Sequence, residues 1–228
     1  MYNYFTKNLM ETPELREISK NRMVYSRIVF NLSKRVFDII MALVAIVLSC
    51  SLMLLISLLI KLDSKGAVIY KHRRVGLHEQ EFYVYKFRSM ILTDKPIEKI
   101  FTPEQMEQYK RSYKVDDDPR VTRVGKFLRK TSLDELPQFF NILLGHMSFV
   151  GPRPVLQEET ERYGEDRELL LSVVPGLTGY WQVNGRSNTT YEERIDMELY
   201  YVKNRSLLFD IKIIFRTISV VFFRKGAK

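Results

Sequence analysis

The sequence predicts a helix-rich, mixed α/β fold: one small globular domain behind an N-terminal membrane-inserted helix, with amphipathic helices lying at the interface. Three observations predict it. Ile39 to Ile60 form 22 residues without a charge, short alternating stretches after them read as strands among helices, and the last apolar stretch is interrupted by charges. The 228 residues suffice for one domain with its own core.

Composition narrows the functional classes. With 46% hydrophobic and 28% charged residues, the chain is neither a disordered tail nor a polytopic membrane protein. Thirty-six Lys and Arg against 27 Asp and Glu leave a charge of +9, which calls for an acidic partner such as nucleic acid, anionic lipid or a phosphorylated substrate. The lone Cys50 excludes an internal disulfide and a cysteine zinc cluster, and His72, His78 and His146 are too few for a histidine-rich metal site. No cleavable signal sequence is recognised in residues 1–30, which fits work on the cytoplasmic side.

The elements follow in order. Residues 1–33 read as a polar cytoplasmic segment, 34–62 as the membrane-inserted helix and 63–228 as the globular domain. As a helix, Ile39–Ile60 is about 33 Å long, close to the thickness of a hydrocarbon core. A buried helix of a soluble protein is the alternative, but such helices carry a polar stripe that this one lacks. Cations flank it on both sides: Arg16, Lys20, Arg22, Arg27, Lys34 and Arg35 before, Lys61, Lys65, Lys71, Arg73 and Arg74 after. Positive charge marks cytoplasmic flanks, so a re-entrant helix that returns to the same face satisfies both ends. Ser49-Cys50-Ser51 offers the place to bend, through hydroxyls that bond back to carbonyls.

Beyond the helix, GAVIY and EFYVYKF read as strands, with Gly76 in the turn between them. Residues 96–115 read as a polar helical insertion ended by Asp116-Asp117-Asp118-Pro119. A helix over roughly 156–172 and a Gly/Pro-rich loop over 175–187 come next. Leu207–Phe223, apolar but broken by Asp210, Lys212 and Arg216, reads either as an interfacial amphipathic helix or as a packed terminal helix.

The chemistry concentrates in RKTSLDELPQFFNILLG (129–145). Pro137 suits a first helical turn, placing the adjacent carboxylates Asp134 and Glu135 at a helix start, with Gly145 as the stop. Free backbone N–H groups there favour a phosphate, and Arg129 and Lys130 add positive charge. Ser132-x-x-Glu135 equally fits a capping box without chemistry. Arg153 stands between two prolines in Val150-Gly151-Pro152-Arg153-Pro154, a fixed planar fork suited to a diphosphate, or a rigid turn with a solvated arginine. Lys86 and Arg88 read as two cations on one strand face, for phosphate or merely an exposed edge. The loop PGLTGYWQ with Gly185-Arg186 offers aromatic surface for a base or for the membrane interface. Asp116 to Asp118 resembles the acidic motif by which many glycosyltransferases hold a metal, and is also an ordinary solvated turn.

Together the runs KRVFD (34–38), KFRSM (86–90), DPRVTRVGKFLRKTSLDELPQ (118–138), MSFVGPRP (147–154) and PGLTGYWQVNGR (175–186) closely resemble the bacterial sugar transferases, the monotopic polyprenyl-phosphate phosphoglycosyl transferases. The likeness covers nearly the whole chain after residue 33. It implies a catalytic domain on the cytoplasmic face of the bacterial inner membrane that moves a sugar-1-phosphate from a UDP-sugar to polyprenyl (undecaprenyl) phosphate. UMP would be released, in the first membrane step of capsule, exopolysaccharide or O-antigen synthesis. The resemblance implies Asp134 as the nucleophile and Glu135 as ligand of a Mg2+ ion. Arg129, Arg153, Lys86, Arg88 and Arg186 are the implied phosphate or substrate binders, with Glu198 at the position of a family aspartate. Its implied partners are the UDP-sugar, the lipid phosphate and membrane lipid, not nucleic acid, and a homo-oligomer is compatible with it. The chain departs from the family at Ser51, where a proline is usual, at Glu198, and at His146 in place of an aspartate. A metal-dependent glycosyltransferase using Asp116 and Asp118 and releasing UDP is the competing expectation; which sugar is moved is not legible.

Overall fold

The computed structural model describes residues 13–222 except 92, 94, 113–114, 116 and 186–188. Helix α1 (Pro13–Asp63) has 51 residues, about 77 Å of helix, and begins well before the apolar run. Among the described residues it is the one helix long and apolar enough to cross a membrane. The serine hydroxyls do bond back, Ser49 Oγ to the Ala45 carbonyl at 2.5 Å and Ser57 Oγ to that of Met53 at 2.7 Å. Helix nevertheless continues through Ser49-Cys50-Ser51, so these bonds decorate the ladder instead of breaking it. Val47, Leu48, Leu54, Leu58 and Leu62 point outward, Leu48 with 80% of its surface exposed. In water that would be a large bare apolar patch, so the helix suits a membrane.

Strands β1 (Ile69–Val75) and β2 (Glu81–Phe87) form an antiparallel hairpin, with Tyr70 opposite Lys86 and His72 opposite Val84. The expected strand GAVIY thus starts later and runs further. Helix α2 (Pro103–Ser112) is the polar insertion, and α3 (Arg123–Thr131) and α4 (Gln138–Leu144) flank the motif-dense stretch. Strands β3 (Ser148–Val150) and β4 (Gly176–Thr178) pair in parallel. The expected helix over 156–172 is divided into α5 (Gln157–Thr160), a 3-10 segment and α6 (Arg167–Leu171), because Gly164 leaves helical geometry at φ 50°. The predicted loop after Pro175 is mostly regular: β4 leads into α7 (Tyr180–Asn184). A Cβ on Gly176 would stand 2.1 Å from the Gly151 amide nitrogen, so the PGLTG and VGPRP motifs require glycine because their backbones cross in contact.

Helices α8 (Tyr191–Asn204) and α9 (Leu207–Phe222) complete the domain. Helix α9 buries Asp210 and Ile213 and exposes Leu208, Phe215 and Ile218, so it packs on one side and offers an apolar stripe on the other.

The core has two sides. On one, Ala42 packs with Phe82, Val84, Ile142 and Met147, and Ile56 and Ile60 with Phe87 and Leu128, so α1 belongs to the core itself. On the other, Val75, Val155, Tyr163, Leu170, Leu171 and Leu199 pack together without any residue of α1. Polar bonds fasten both ends of the apolar run to the domain. At the N-terminal end Lys34 pairs with Asp210 at 2.5 Å, Arg35 donates to the Ile142 and Leu143 carbonyls that end α4, and buried Asp38 accepts from the Phe149 amide. At the C-terminal end the Val124 amide donates to Asp63 Oδ2 at 3.1 Å.

Candidate active site

The two carboxylates of the LDE motif stand on a 3-10 turn, Leu133–Glu135, between α3 and α4. Ser132 closes α3 in the left-handed conformation, φ 58°, its amide donating to the Leu128 and Arg129 carbonyls. Its side chain caps nothing, and the Glu135 carboxylate turns away to Lys86, so the capping box does not form. Helix α4 starts only at Gln138, behind Pro137, and ends at Gly145 with φ 89°, the left-handed stop expected there. Asp134 is therefore a turn earlier than a helix start.

Asn141 fixes the pair against the hairpin. Fully buried in α4, it accepts from the Tyr85 amide at 2.8 Å and donates to the Tyr83 carbonyl at 2.7 Å, bonding to β2 as a neighbouring strand would. That docking brings Lys86 Nζ to 2.7 Å from Glu135 Oε1. Burial would push the Glu135 carboxyl up, but Lys86, Arg153 and a hydrogen bond with Gln138 outweigh it, and its pKa lies below the ordinary value. Asp134 fares the opposite way. Burial raises its carboxyl to about 6, Lys86 and Arg129 pull it back in part, and the Glu135 charge adds to the rise. Among the described residues no cation forms an ion pair with Asp134. Two neighbouring carboxylates are thus pushed apart, one held ionised by a lysine and one unpaired and destabilised as an anion.

Arg129, on the last turn of α3, donates from Nε to Ser89 Oγ at 2.9 Å and lies within electrostatic reach of Asp134. Arg153 follows β3, its amide donating to Glu198 Oε1 at 3.3 Å. Lys86, Arg129 and Arg153 thus gather around the carboxylates as expected. Arg88 does not. Its buried guanidinium donates to the carbonyls of Lys65 and Ser64, the latter at 2.8 Å, at the end of α1. In this position the guanidinium clamps helix-terminal carbonyls away from the two carboxylates. Glu198 is 1% exposed and accepts from the Arg153 amide, Arg194 Nε and the Tyr163 hydroxyl. As an acceptor it holds the backbone of Arg153 in place. Arg186 and Asp116 lie outside the described residues. Asp118 is buried against Arg120, at 2.7 Å, and Asp117 pairs with Lys126. His146, where the family has an aspartate, is exposed.

Three side chains not singled out from the sequence also belong here. His72 and Arg74 project from the same face of β1, with Arg74 Nη2 3.4 Å from His72 Nδ1. Burial, then Arg74, Lys86 and Arg153, lower the His72 pKa to about 4, so the imidazole is neutral in a cationic setting. Glu159 of α5 takes Arg74 at 3.2 Å and Arg194 of α8 at 3.5 Å. The signal was present as period-two alternation along Tyr70, His72 and Arg74.

Among the described residues no group of three His, Cys, Asp or Glu side chains could hold a metal. Magnesium asks for less, one or two protein carboxylates with phosphate oxygens and water completing its shell. The second oxygen of Glu135, not taken by Lys86, fits that sparse donor set.

The chain matches the family described as bacterial sugar transferase over residues 29–224. It is 44% identical to the undecaprenyl-phosphate galactose phosphotransferase of Salmonella typhimurium over 85% of its own length and 41% of that protein's. With the exopolysaccharide production protein ExoY of Sinorhizobium fredii it shares 44% identity over 86% of this chain and 88% of the relative. Against the UDP-glucose:undecaprenyl-phosphate glucose-1-phosphate transferase of Escherichia coli it is 40% identical, again over 86% of itself but 41% of the other. It thus spans about two fifths of the longer relatives and most of ExoY. The ordered motifs around Asp134, Arg153 and Trp181 therefore sit in a known framework, and the chain belongs to the bacterial sugar transferase family.

Proposed function

We propose that this chain transfers a sugar-1-phosphate from a UDP-sugar to undecaprenyl phosphate through a covalent phosphosugar on Asp134, releasing UMP. One observation carries the reading: adjacent carboxylates in opposite electrostatic states, Glu135 held ionised by Lys86 and Asp134 unpaired with its carboxyl raised to about 6. An unpaired carboxylate, still ionised at neutral pH, is the stronger nucleophile of the two. Relatives named for galactose-, glucose- and N-acetylgalactosamine-phosphate transfer to undecaprenyl phosphate support the substrate class.

In the first step an Asp134 oxygen attacks the sugar-side phosphorus, and the bond from that phosphorus to the bridging oxygen breaks. UMP leaves with the electron pair. In the second, a phosphate oxygen of the lipid attacks the same phosphorus and expels the Asp134 carboxylate, giving a lipid diphosphate sugar. The Asp134 carboxylate and the lipid phosphate both attack as anions, so neither step requires a protein base. Arg129, Lys86 and Arg153 bind and neutralise phosphate oxygens. A Mg2+ ion on Glu135 would supply further charge neutralisation on the diphosphate.

The domain lies on the cytoplasmic face, with α1 entering and leaving the same leaflet. Support comes from the fastenings of Lys34, Arg35 and Asp38 at one end of the apolar run and of Ile60 and Asp63 at the other, all to one globular body. The ends of this unbroken run lie about 33 Å apart, so fastening both to one globular body lays the run along that body instead of carrying it away across the bilayer. The product would feed surface polysaccharide synthesis. Membranes incubated with a panel of UDP-sugars test the reaction: UMP and a phosphosugar on the peptide around Leu133 are expected, and UDP release would overturn it. Cysteines placed near residues 5 and 80 test the topology, since labelling of the first from outside intact cells would rule out the same-face arrangement.

A further inference from the structure

The buried centre of the second core side gathers arginines around shared glutamates. Arg74 and Arg194 pair with Glu159 and Glu198, while the Arg153 amide bonds to Glu198 and its charge also reaches Glu135. Glu159 spans Arg74 and Arg194, and Glu198 spans Arg194 and the Arg153 amide, so Arg194 is the hub through which the other two are held. It is 7% exposed, its guanidinium 4.8 Å from the Trp181 ring centre and 5.1 Å from that of Tyr191. Yet its buried Nη2 has no hydrogen-bond partner. A fixed, desolvated guanidinium donor left unpaired is costly unless a ligand completes it. The crowding of guanidinium groups is felt by Arg74: burial, then Arg153, lower its pKa to about 10, with Arg194 adding to the effect.

Resting on the proposed function, we infer that Arg74, Arg153 and Arg194, with Trp181 as a wall, seat the nucleotide-side phosphate of the donor and hold the departing nucleoside monophosphate. Position selects this source of phosphate over the lipid. The Asp134 turn abuts the α1 side of the core, through Leu133 and Leu136 beside Ile56 and Ile60. Arg74 and Arg194 stand over the core that contains no α1 residue, and His72 and Lys86 lie between the two. The lipid phosphate approaches from the helix side, and the water-soluble half of the donor extends away from it.

Trp181 is the only tryptophan in the chain and lies on Arg194, so its emission reports the site directly. The full chain in nanodiscs is titrated with UMP, inorganic phosphate and farnesyl phosphate in turn. UMP should change the emission saturably. Arg194→Gln should weaken UMP at least tenfold and Arg194→Lys less, raising KM for the UDP-sugar more than it lowers kcat. Asp134→Asn should bind UMP as the parent does while failing to turn over, which separates this inference from the identity of the nucleophile. Should Arg194→Gln not fold, arginine-directed phenylglyoxal on the unaltered protein gives the same decision, because UMP should protect the peptide containing Arg194. UMP binding unchanged in a folded Arg194→Gln, no UMP protection, or an Arg194-dependent response to farnesyl phosphate instead of UMP would each overturn the assignment.

Discussion

Replacing Asp134 with Asn should abolish transfer and, at the same time, stabilise the protein in a pH-dependent way. The folded carboxyl titrates at about 6 against an ordinary 3.8. Between those values the unfolded chain has released its proton and the folded one has not, so folding stability falls as pH rises through this window. Above about 6 the full penalty persists, on the order of 2 kcal/mol once solvent at the half-buried site is allowed for. Asparagine has the same shape and no charge, so it removes the penalty. In a chain of this size that corresponds to about 4–8 °C in melting temperature. Scanning fluorimetry of both proteins in detergent at pH 4 and pH 8 is the assay: the gain should appear at pH 8 and shrink towards nothing at pH 4. Turnover by the parent should fall about tenfold per pH unit below 6, as the nucleophile becomes protonated. An Asp134→Asn protein less stable at both pH values would refute the reasoning, since the carboxylate would then be a structural acceptor.

Arg88→Met should lower the melting temperature by several degrees, because carbonyls ending α1 lose a charged donor worth about 1.5–3 kcal/mol, and should leave KM for the UDP-sugar unchanged. Kinetics in detergent would expose a phosphate-binding role as a raised KM instead. Asn141→Leu leaves the Tyr85 amide and the Tyr83 carbonyl buried without partners, a loss of about 2–4 kcal/mol visible in chemical denaturation. Glu135→Gln should raise the Mg2+ concentration required for half-maximal turnover, and a chelator should silence the parent until magnesium is restored.

The sequence made the ends of this molecule legible and its middle less so. Charge-free length identified α1, and the positions of Pro137 and Gly145 bracketed α4, because those signals act within a few residues. Asp134, Glu135, Lys86 and Arg153 were readable from chemistry and motif. The surroundings of Arg88 were not legible because the carbonyls of Ser64 and Lys65 come within its reach only when β2 runs past the end of α1. Those of Glu198 were hidden for a similar reason, since only the fold brings the Arg153 amide and Arg194 to its carboxylate. Asn141 and Arg194 carried no local mark, since one is a side chain imitating a strand and the other a hub whose partners are 4 and 35 residues away.

Arg35 ends the helix that begins one turn after Asp134, and it does so from α1, just before the apolar run. The anchor and the reaction centre consequently share one frame, with no flexible tether between them. Lipid that shifts the tilt or depth of the anchor moves the carboxylate with it, so bilayer thickness becomes a variable of catalysis. A version trimmed to its water-soluble half would lose the cap on α4 along with its address.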